Sequence, residues 1–219
     1  RDSKEAFPTI SDDMMTAVDK ADSAAFSRED VLRAKGWELL SFLMDSRTGL
    51  GRFRDFRISN YELMMDLIEY CRREQNIENI LQLPDVAERV ALYRKYEDEF
   101  KRQIERCTTM HGSLAVLDLR DEETIWPGNR FMIYALFPQA TISCHVIWGR
   151  NKQNTVFAIG KSIFDRDALT DVGSLCLKYG GGGHNAAGTC QVENDQAERA
   201  LNDVIATILR NEQPGPGAA

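Results

Sequence analysis

The chain has 219 residues, of which 43% are hydrophobic and 28% are charged, so it can form one substantial domain or two modest ones. Its formal net charge of -7 argues against a broad cationic surface for long nucleic acid, although an acidic protein can contain a local basic cleft. Its five cysteines form no C-x-x-C pair, which indicates reduced thiols and a cytoplasmic protein. No apolar run approaches the roughly 18 residues of a membrane span, so no membrane partner is expected.

Helical periodicity dominates residues 1–83. Ser11 is a typical N-cap because two acidic residues follow it at once. Two further helices are predicted, one ending near Gly49 and one beginning at Asn60 as its cap. Over residues 84–107 the pattern predicts one long and highly charged helix, which would link the two halves of the chain.

Residues 108–212 predict an α/β domain with a mixed sheet. β-branched and aromatic residues mark its strands, which fall at 112–119, 141–149, 155–163 and 188–192. Helical periodicity marks 167–180 and a closing helix at 193–210, whereas 129–137 fits either a helix or a strand. The tail, 213–219, is rich in glycine and proline and is predicted to be disordered.

A row of four glycines, Gly180–Gly183, stands in the stretch "KYGGGGHNAAGTCQV" and is followed by His184. One glycine is enough to end a helix, so the surplus backbone is expected where a ligand or another strand approaches closely. Successive N–H groups can form an anion-binding nest, extended by Asn185–Ala187, with His184 as a further donor at its rim. The alternative is a tightly packed turn beside which His184 is incidental, and composition does not decide between the two.

The segment "YGGGGHNAAG" follows a short predicted helix and a strand that carries the basic residue Lys161. It resembles the end of the DHH-associated domain of DHH-superfamily phosphoesterases. That family includes exopolyphosphatase-like proteins, phosphodiesterases of oligoribonucleotides and cyclic dinucleotides, and single-strand exonucleases. The resemblance covers about residues 108–210, and the preceding helices resemble the last part of the catalytic DHH domain. It implies that Gly180, Gly181, Gly182, Gly183, His184 and Lys161 bind substrate phosphate, with His184 also a catalytic residue.

The stretch "DKADSAAFS" is similar to the family's late aspartate motif. This similarity implies that Asp22, or otherwise Asp19, is a ligand of a two-ion Mn²⁺ or Mg²⁺ site. Taken without the resemblance, such an acidic pair is more often a solvated helix face. The D-x-D motif and Asp-His-His triplet that open the family's catalytic domain do not precede these aspartates. The resemblance therefore implies that the metal site is incomplete in this chain and that the chain alone is inactive.

The chain departs from the family's pattern at one basic residue. In the family, the strand before the glycine row commonly carries S-L-R-S. This chain has a lysine there, Lys161, which keeps the charge and loses the bidentate fork of arginine.

The stretch "DSRTGLGRFRDFRISN" is an arginine-rich segment. Its Arg52 and Arg54 alternate with Phe53 and Phe56, a pattern suited to phosphate binding and base stacking in a substrate cleft. The alternative is a loop whose arginines pair with the abundant acidic residues.

The resemblance predicts the hydrolysis of phosphoester or phosphoanhydride bonds in short oligonucleotides, cyclic dinucleotides or polyphosphate. Four segments are expected: the helical end of the catalytic domain at 1–83, a linker helix at 84–107, the substrate-binding domain at 108–212, and the tail. The expected partner is a phosphate-containing small molecule or a short single-stranded nucleic acid, and a homodimer is compatible with the sequence. The alternative is a non-catalytic nucleic-acid or phosphate-binding module, because a similar glycine-rich domain contacts RNA in alanyl-tRNA synthetases.

Overall fold

The computed structural model describes residues 10–53 and 55–213, and the chain divides into two compact units. One unit comprises Arg1–Phe100 with Trp126–Met132, and the other comprises Lys101–Ile125 with Ile133–Ala219. Among the described residues, no helix is long and apolar enough to cross a membrane. The predicted disordered tail lies outside the described residues, apart from Gln213.

The first unit is helical, as the periodicity predicts. Its helices are α1 (Asp12–Asp22), α2 (Arg28–Leu32), α3 (Gly36–Met44), α4 (Asn60–Cys71), α5 (Ile77–Leu81) and α6 (Pro84–Lys95), and α7 (Glu97–Cys107) begins in it. Ser11 caps α1, because its Oγ accepts the N–H of Met14 at 3.3 Å. The cap of α4 is Ser59 and not Asn60, because the Oγ of Ser59 accepts the N–H of Glu62 at 3.1 Å.

The prediction of one long helix over residues 84–107 is wrong. Helix α6 ends at Lys95 and α7 begins at Glu97, and between them Tyr96 leaves helical geometry with φ -107° and ψ 11°. The ring of Tyr96 stacks on Trp126 with centroids 4.5 Å apart. This packing against a distant residue holds Tyr96 at the break, and helical periodicity cannot register a contact of that kind.

Aromatic packing and a buried arginine hold the first unit together. Phe26 and Phe42 pack with ring centroids 4.7 Å apart. The fully buried guanidinium of Arg89 donates to the Oδ1 of Asn60 at 2.8 Å and to the carbonyl oxygen of Ile58 at 2.6 Å. Helix α1 buries no side chain completely, and its Val18 is 49% exposed.

The second unit contains a six-stranded mixed sheet, which confirms the predicted α/β fold. The strands are β1 (Thr108–His111), β2 (Leu114–Asp118), β3 (Ile142–Trp148), β4 (Thr155–Lys161), β5 (Gly182–His184) and β6 (Ala187–Val192). Their order is β1-β2-β3-β4-β6-β5, and every pair is antiparallel except β2 with β3. The remaining helices are α8 (Met132–Leu136), α9 (Val172–Leu177) and α10 (Ala197–Asn211).

Apolar residues from α9 and α10 pack into the sheet core, which includes the buried Phe157 and Val204. Helix α9 is shorter than the predicted 167–180. The Oε1 of Glu212 accepts the backbone N–H groups of Leu169 and Thr170, at 3.1 and 2.9 Å, which holds this stretch outside the helix. The segment whose sequence fits either a helix or a strand contains α8.

Candidate functional site

The second half of the glycine row is an edge strand, β5, so another strand does approach this backbone closely. Gly182 lies opposite Thr189 in the antiparallel pairing of β5 with β6. Asn185 and Ala186 form the turn between the two strands. Periodicity does not reveal β5, because it has three residues and two of them are glycines with low β propensity.

The first half of the row ends helix α9. Gly180 has φ +74°, a backbone conformation that glycine adopts without strain. The N–H of Gly180 donates to the carbonyl oxygen of Leu177, and the N–H of Gly181 donates to that of Cys176, both at 3.1 Å. These two N–H groups are therefore engaged within the protein. An anion nest formed by all four glycines is not present in this structure.

Close backbone packing explains why two positions of the row, 181 and 183, are glycine. A Cβ placed on Gly181 would lie 2.1 Å from the carbonyl oxygen of Thr189, and one on Gly183 would lie 2.2 Å from that of Ala187. No side chain fits at those distances without a shift of the hairpin. A Cβ on Gly182, by contrast, would meet nothing within 4 Å. Gly182 is therefore the glycine of this row whose missing side chain leaves open space beside the strand.

His184 is exposed at the end of β5. Its Nδ1 accepts the backbone N–H of Ala186 at 3.2 Å. A neutral imidazole has one donor nitrogen and one acceptor nitrogen, so this bond places the proton on Nε2. His184 consequently presents an N–H donor at its outer nitrogen, which suits a phosphate oxygen.

Lys161 is fixed next to the same turn. Its Nζ donates to the carbonyl oxygen of Ala168 at 2.9 Å and to the Oδ1 of Asn185 at 2.8 Å. Asp171 is close by, and the N–H of Ser174 lowers the pKa of its carboxyl, with a smaller contribution from the charge of Lys161. The structure thus places two predicted residues, Lys161 and His184, beside the turn between β5 and β6, and Gly182 lies two residues before His184 on β5.

The two aspartates predicted as metal ligands are exposed at the end of α1. Within residues 10–53 and 55–213, no group of three or more His, Cys, Asp or Glu side chains could hold a metal ion, so neither Asp19 nor Asp22 belongs to one. The sequence contains one Asp-x-Asp triplet, residues 165–167, which follows β4 in the second unit. The described residues therefore provide at most part of a metal site.

A recess of about 300 Å³ in the first unit contains an aspartate that the sequence analysis overlooked. This residue, Asp45, accepts bonds from the Nε and Nη2 of Arg47 at 2.7 and 2.9 Å and lies 3.2 Å from the Nε of Arg130. Burial alone would raise the pKa of Asp45, but the bonds from Arg47 outweigh it and hold the pKa below its ordinary value. Ala21, next to Asp22, also lines the recess. The sequence signal for this site is the position of Asp45, two residues before Arg47 at the start of the arginine-rich segment.

Two arginines of the arginine-rich segment, Arg47 and Arg57, pair with carboxylates of the protein. Arg57 donates to the carboxylate of Asp85, with its Nη2 2.6 Å from Oδ2. Arg52 is exposed, and its guanidinium folds back so that a Cβ on Gly49 would lie 2.1 Å from its Nη1. Arg54, the other arginine predicted to bind substrate, lies outside the described residues. A role of this segment in substrate binding remains a prediction.

Comparison with solved structures gives a relative of high identity. The chain is 59% identical to a pGpG-specific phosphodiesterase, PggH, from Vibrio cholerae, with a TM-score of 0.81 over 91% of this chain. The chain belongs to the DHH-superfamily phosphoesterases. Its six-stranded sheet and closing helix have the fold of the DHH-associated domain of that superfamily. The chain spans 66% of the length of the Vibrio phosphodiesterase.

Two other solved structures show weaker similarity to this DHH-superfamily chain. The DHH domain of a protein assigned to a family of ribosomal proteins is 11% identical, with a TM-score of 0.48 over 93% of this chain and 47% of that one. An exopolyphosphatase-related protein from Bacteroides fragilis is also 11% identical, with a TM-score of 0.41 over 80% of this chain and 52% of that one. No family model and no curated protein matches the sequence.

Proposed function

We propose that this chain is the substrate-binding part of a phosphodiesterase that acts on pGpG. The observation that carries the proposal is its 59% identity, over 91% of its length, to a phosphodiesterase specific for that dinucleotide. pGpG is a short single-stranded nucleotide with a terminal phosphate, so it belongs to the class of partner that the sequence predicts.

The end of β4 and the hairpin of β5 and β6 supply groups that suit such a phosphate. Lys161 contributes a positive charge, and His184 contributes an N–H donor at Nε2. The open space beside Gly182 lets a ligand approach the backbone closely. We assign to these residues the binding and orientation of the phosphate, so His184 acts as a hydrogen-bond donor to it.

We also propose that hydrolysis depends on Mn²⁺ or Mg²⁺, which the family resemblance implies. The described residues do not fit a two-ion site by themselves, because they contain no group of three possible ligands. Asp45 is a better candidate ligand than Asp22, because it lines a recess and Asp22 is exposed on a helix surface. Arginines already engage Asp45, so the chemistry assigned to the described residues is substrate binding.

The proposal is tested with four probes: pGpG, unphosphorylated GpG, cyclic di-GMP and inorganic polyphosphate. Calorimetric titration of this chain should show the tightest binding for pGpG and weaker binding for GpG, which lacks the terminal phosphate. Hydrolysis should be measured in parallel on this chain and on a version extended to the length of the Vibrio phosphodiesterase, with and without Mn²⁺. Equal affinity for GpG and pGpG, or preferred cleavage of polyphosphate, would reject the assignment.

One observation favours the second candidate, a non-catalytic phosphate-binding module. This is the lack, within the described residues, of a group of side chains that could hold a metal ion. The same experiment separates the two candidates. A module predicts that pGpG binds and that the extended protein with Mn²⁺ still does not cleave it, whereas a phosphodiesterase predicts cleavage by the extended protein.

A further inference from the structure

Asn185 connects three elements around the glycine row. It lies in the turn between β5 and β6, directly after His184. Its Oδ1 accepts the Nζ of Lys161 at 2.8 Å, and its backbone oxygen accepts the N–H of Val172 at 3.1 Å. Its side chain also hydrogen-bonds to Asp171, the residue that caps α9. Asn185 is therefore anchored on both sides before any ligand arrives.

The side chain of Lys161, which Asn185 contacts, is intrinsically flexible. A lysine ammonium is a point charge on a flexible stem, whereas an arginine presents its donors in a rigid planar fork. A flexible cation loses conformational entropy when it binds a phosphate, and this loss weakens binding. The Nζ of Lys161 is held by two acceptors, the carbonyl oxygen of Ala168 at 2.9 Å and the Oδ1 of Asn185. Because an ammonium has three N–H donors, one donor is left with a fixed direction.

We propose that Asn185 is a positioning residue, which fixes the ammonium of Lys161 so that its third N–H is directed at the substrate phosphate. Asn185 thereby restricts the motion of the lysine side chain. An arginine at the same position would need less restriction, because its guanidinium is a rigid planar group. The inference rests on the proposed function for the identity of the ligand. The fixation of Lys161 does not depend on it, because it follows from contacts within the protein.

A double-mutant cycle tests whether Asn185 acts through Lys161. The variants are Asn185→Ala, Lys161→Ala and the double variant, each titrated calorimetrically with pGpG. Asn185→Ala alone should weaken binding by roughly three- to tenfold, the range for one ordinary hydrogen bond. In the Lys161→Ala background it should have no further effect. A full effect in that background, or no effect in the parent chain, would overturn the inference.

Asn202→Ala is the matched control, because it makes the same substitution at an exposed position of α10. It should leave both the affinity for pGpG and the melting temperature unchanged. The melting temperatures of Asn185→Ala and Lys161→Ala are measured alongside. A lower melting temperature in Asn185→Ala alone would indicate that the substitution disrupts the turn between β5 and β6.

A second measurement needs no ligand. In nitrogen-detected or proton-detected NMR of the Lys ammonium groups, the hydrogen-bonded Nζ of Lys161 should exchange its protons slowly in the parent chain and fast in Asn185→Ala. If the parent chain fails to bind pGpG but shows this protected signal, the proposed substrate is wrong and the positioning role stands. An unprotected signal in the parent chain, or equal protection in the variant, would overturn the positioning role.

Discussion

Replacing Gly182 by valine should weaken pGpG binding by at least about tenfold, which corresponds to about 1.4 kcal/mol, and should leave the chain as stable as before. A Cβ at this position meets nothing within 4 Å, so the fold has room for the side chain. Valine also favours strands, whereas glycine inside a strand costs about 0.5 to 1 kcal/mol. The new methyl groups would occupy the space through which a phosphate reaches the backbone of β5.

The contrasting variant is Gly181→Ala, one position earlier. Its single added carbon would lie 2.1 Å from the carbonyl oxygen of Thr189 and 2.6 Å from the Cα of Cys190, so the hairpin must move. Overpacking of this kind costs about 1 to 3 kcal/mol, which lowers the melting temperature of a chain of this size by roughly 2 to 12 °C. The smaller substitution should therefore damage the fold more than the larger one.

Thermal unfolding followed by circular dichroism gives the stability of both variants, and calorimetric titration with pGpG gives the affinity. Gly182→Ala adds a graded step, with an intermediate loss of affinity and no loss of stability. Normal pGpG affinity in the Gly182→Val variant would refute the reasoning, because it would show that the ligand does not use this space. A lower melting temperature in Gly182→Val than in Gly181→Ala would refute the packing argument.

Four further predictions concern three other residues and the binding of Mn²⁺. His184→Ala should weaken pGpG binding by about tenfold or more and His184→Gln, which keeps an N–H donor, by less; equal losses in calorimetry would contradict the donor role. Arg89→Met should lower the free energy of unfolding in urea by about 3 kcal/mol, because buried acceptors lose their donor, and an unchanged midpoint would show that water replaces it. The pKa of Asp45 is lowered from 3.8 in the folded chain, so its stabilisation is present above that value and is lost as pH falls through the folded pKa. Asp45→Asn should therefore be less stable than the parent at neutral pH and lose less stability on acidification, and parallel pH curves would argue against this. Mn²⁺ should bind this chain without a tight site in calorimetry and without turnover of pGpG; two ions bound at micromolar concentration would disprove the expectation.

Local sequence signals were enough for most elements of the fold. The cap at Ser11 and the periodicity of α10 are properties of adjacent residues, so they can be recognised without tertiary information. Strands β3 and β4 are rich in β-branched and aromatic residues, which also makes them visible in the sequence. The break at Tyr96 was missed, because it coincides with ring stacking on a residue 30 positions away.

The candidate site was only partly predictable for similar reasons. The glycine row and His184 are contiguous, so their pattern is visible in the sequence. The sequence does not show which glycines are required by packing and which leave open space, because this depends on how closely β6 approaches each of them. Asp45 was missed because its burial beside Arg130, which is 85 positions away, is a property of the folded unit alone.

The hairpin geometry has a consequence for interpreting sequence variation at this site. Substitutions at Gly181 and Gly183 would be rejected because a neighbouring strand occupies the space, and those at Gly180 because of its positive φ. If only the tolerated residues were counted, all four positions would appear equally restricted. Restrictions that come from packing would then be attributed to ligand binding. Only at Gly182 does intolerance of a side chain report on what the protein binds. An inventory of natural or laboratory variants should therefore weigh that single position above its neighbours when it is used to infer a change of substrate.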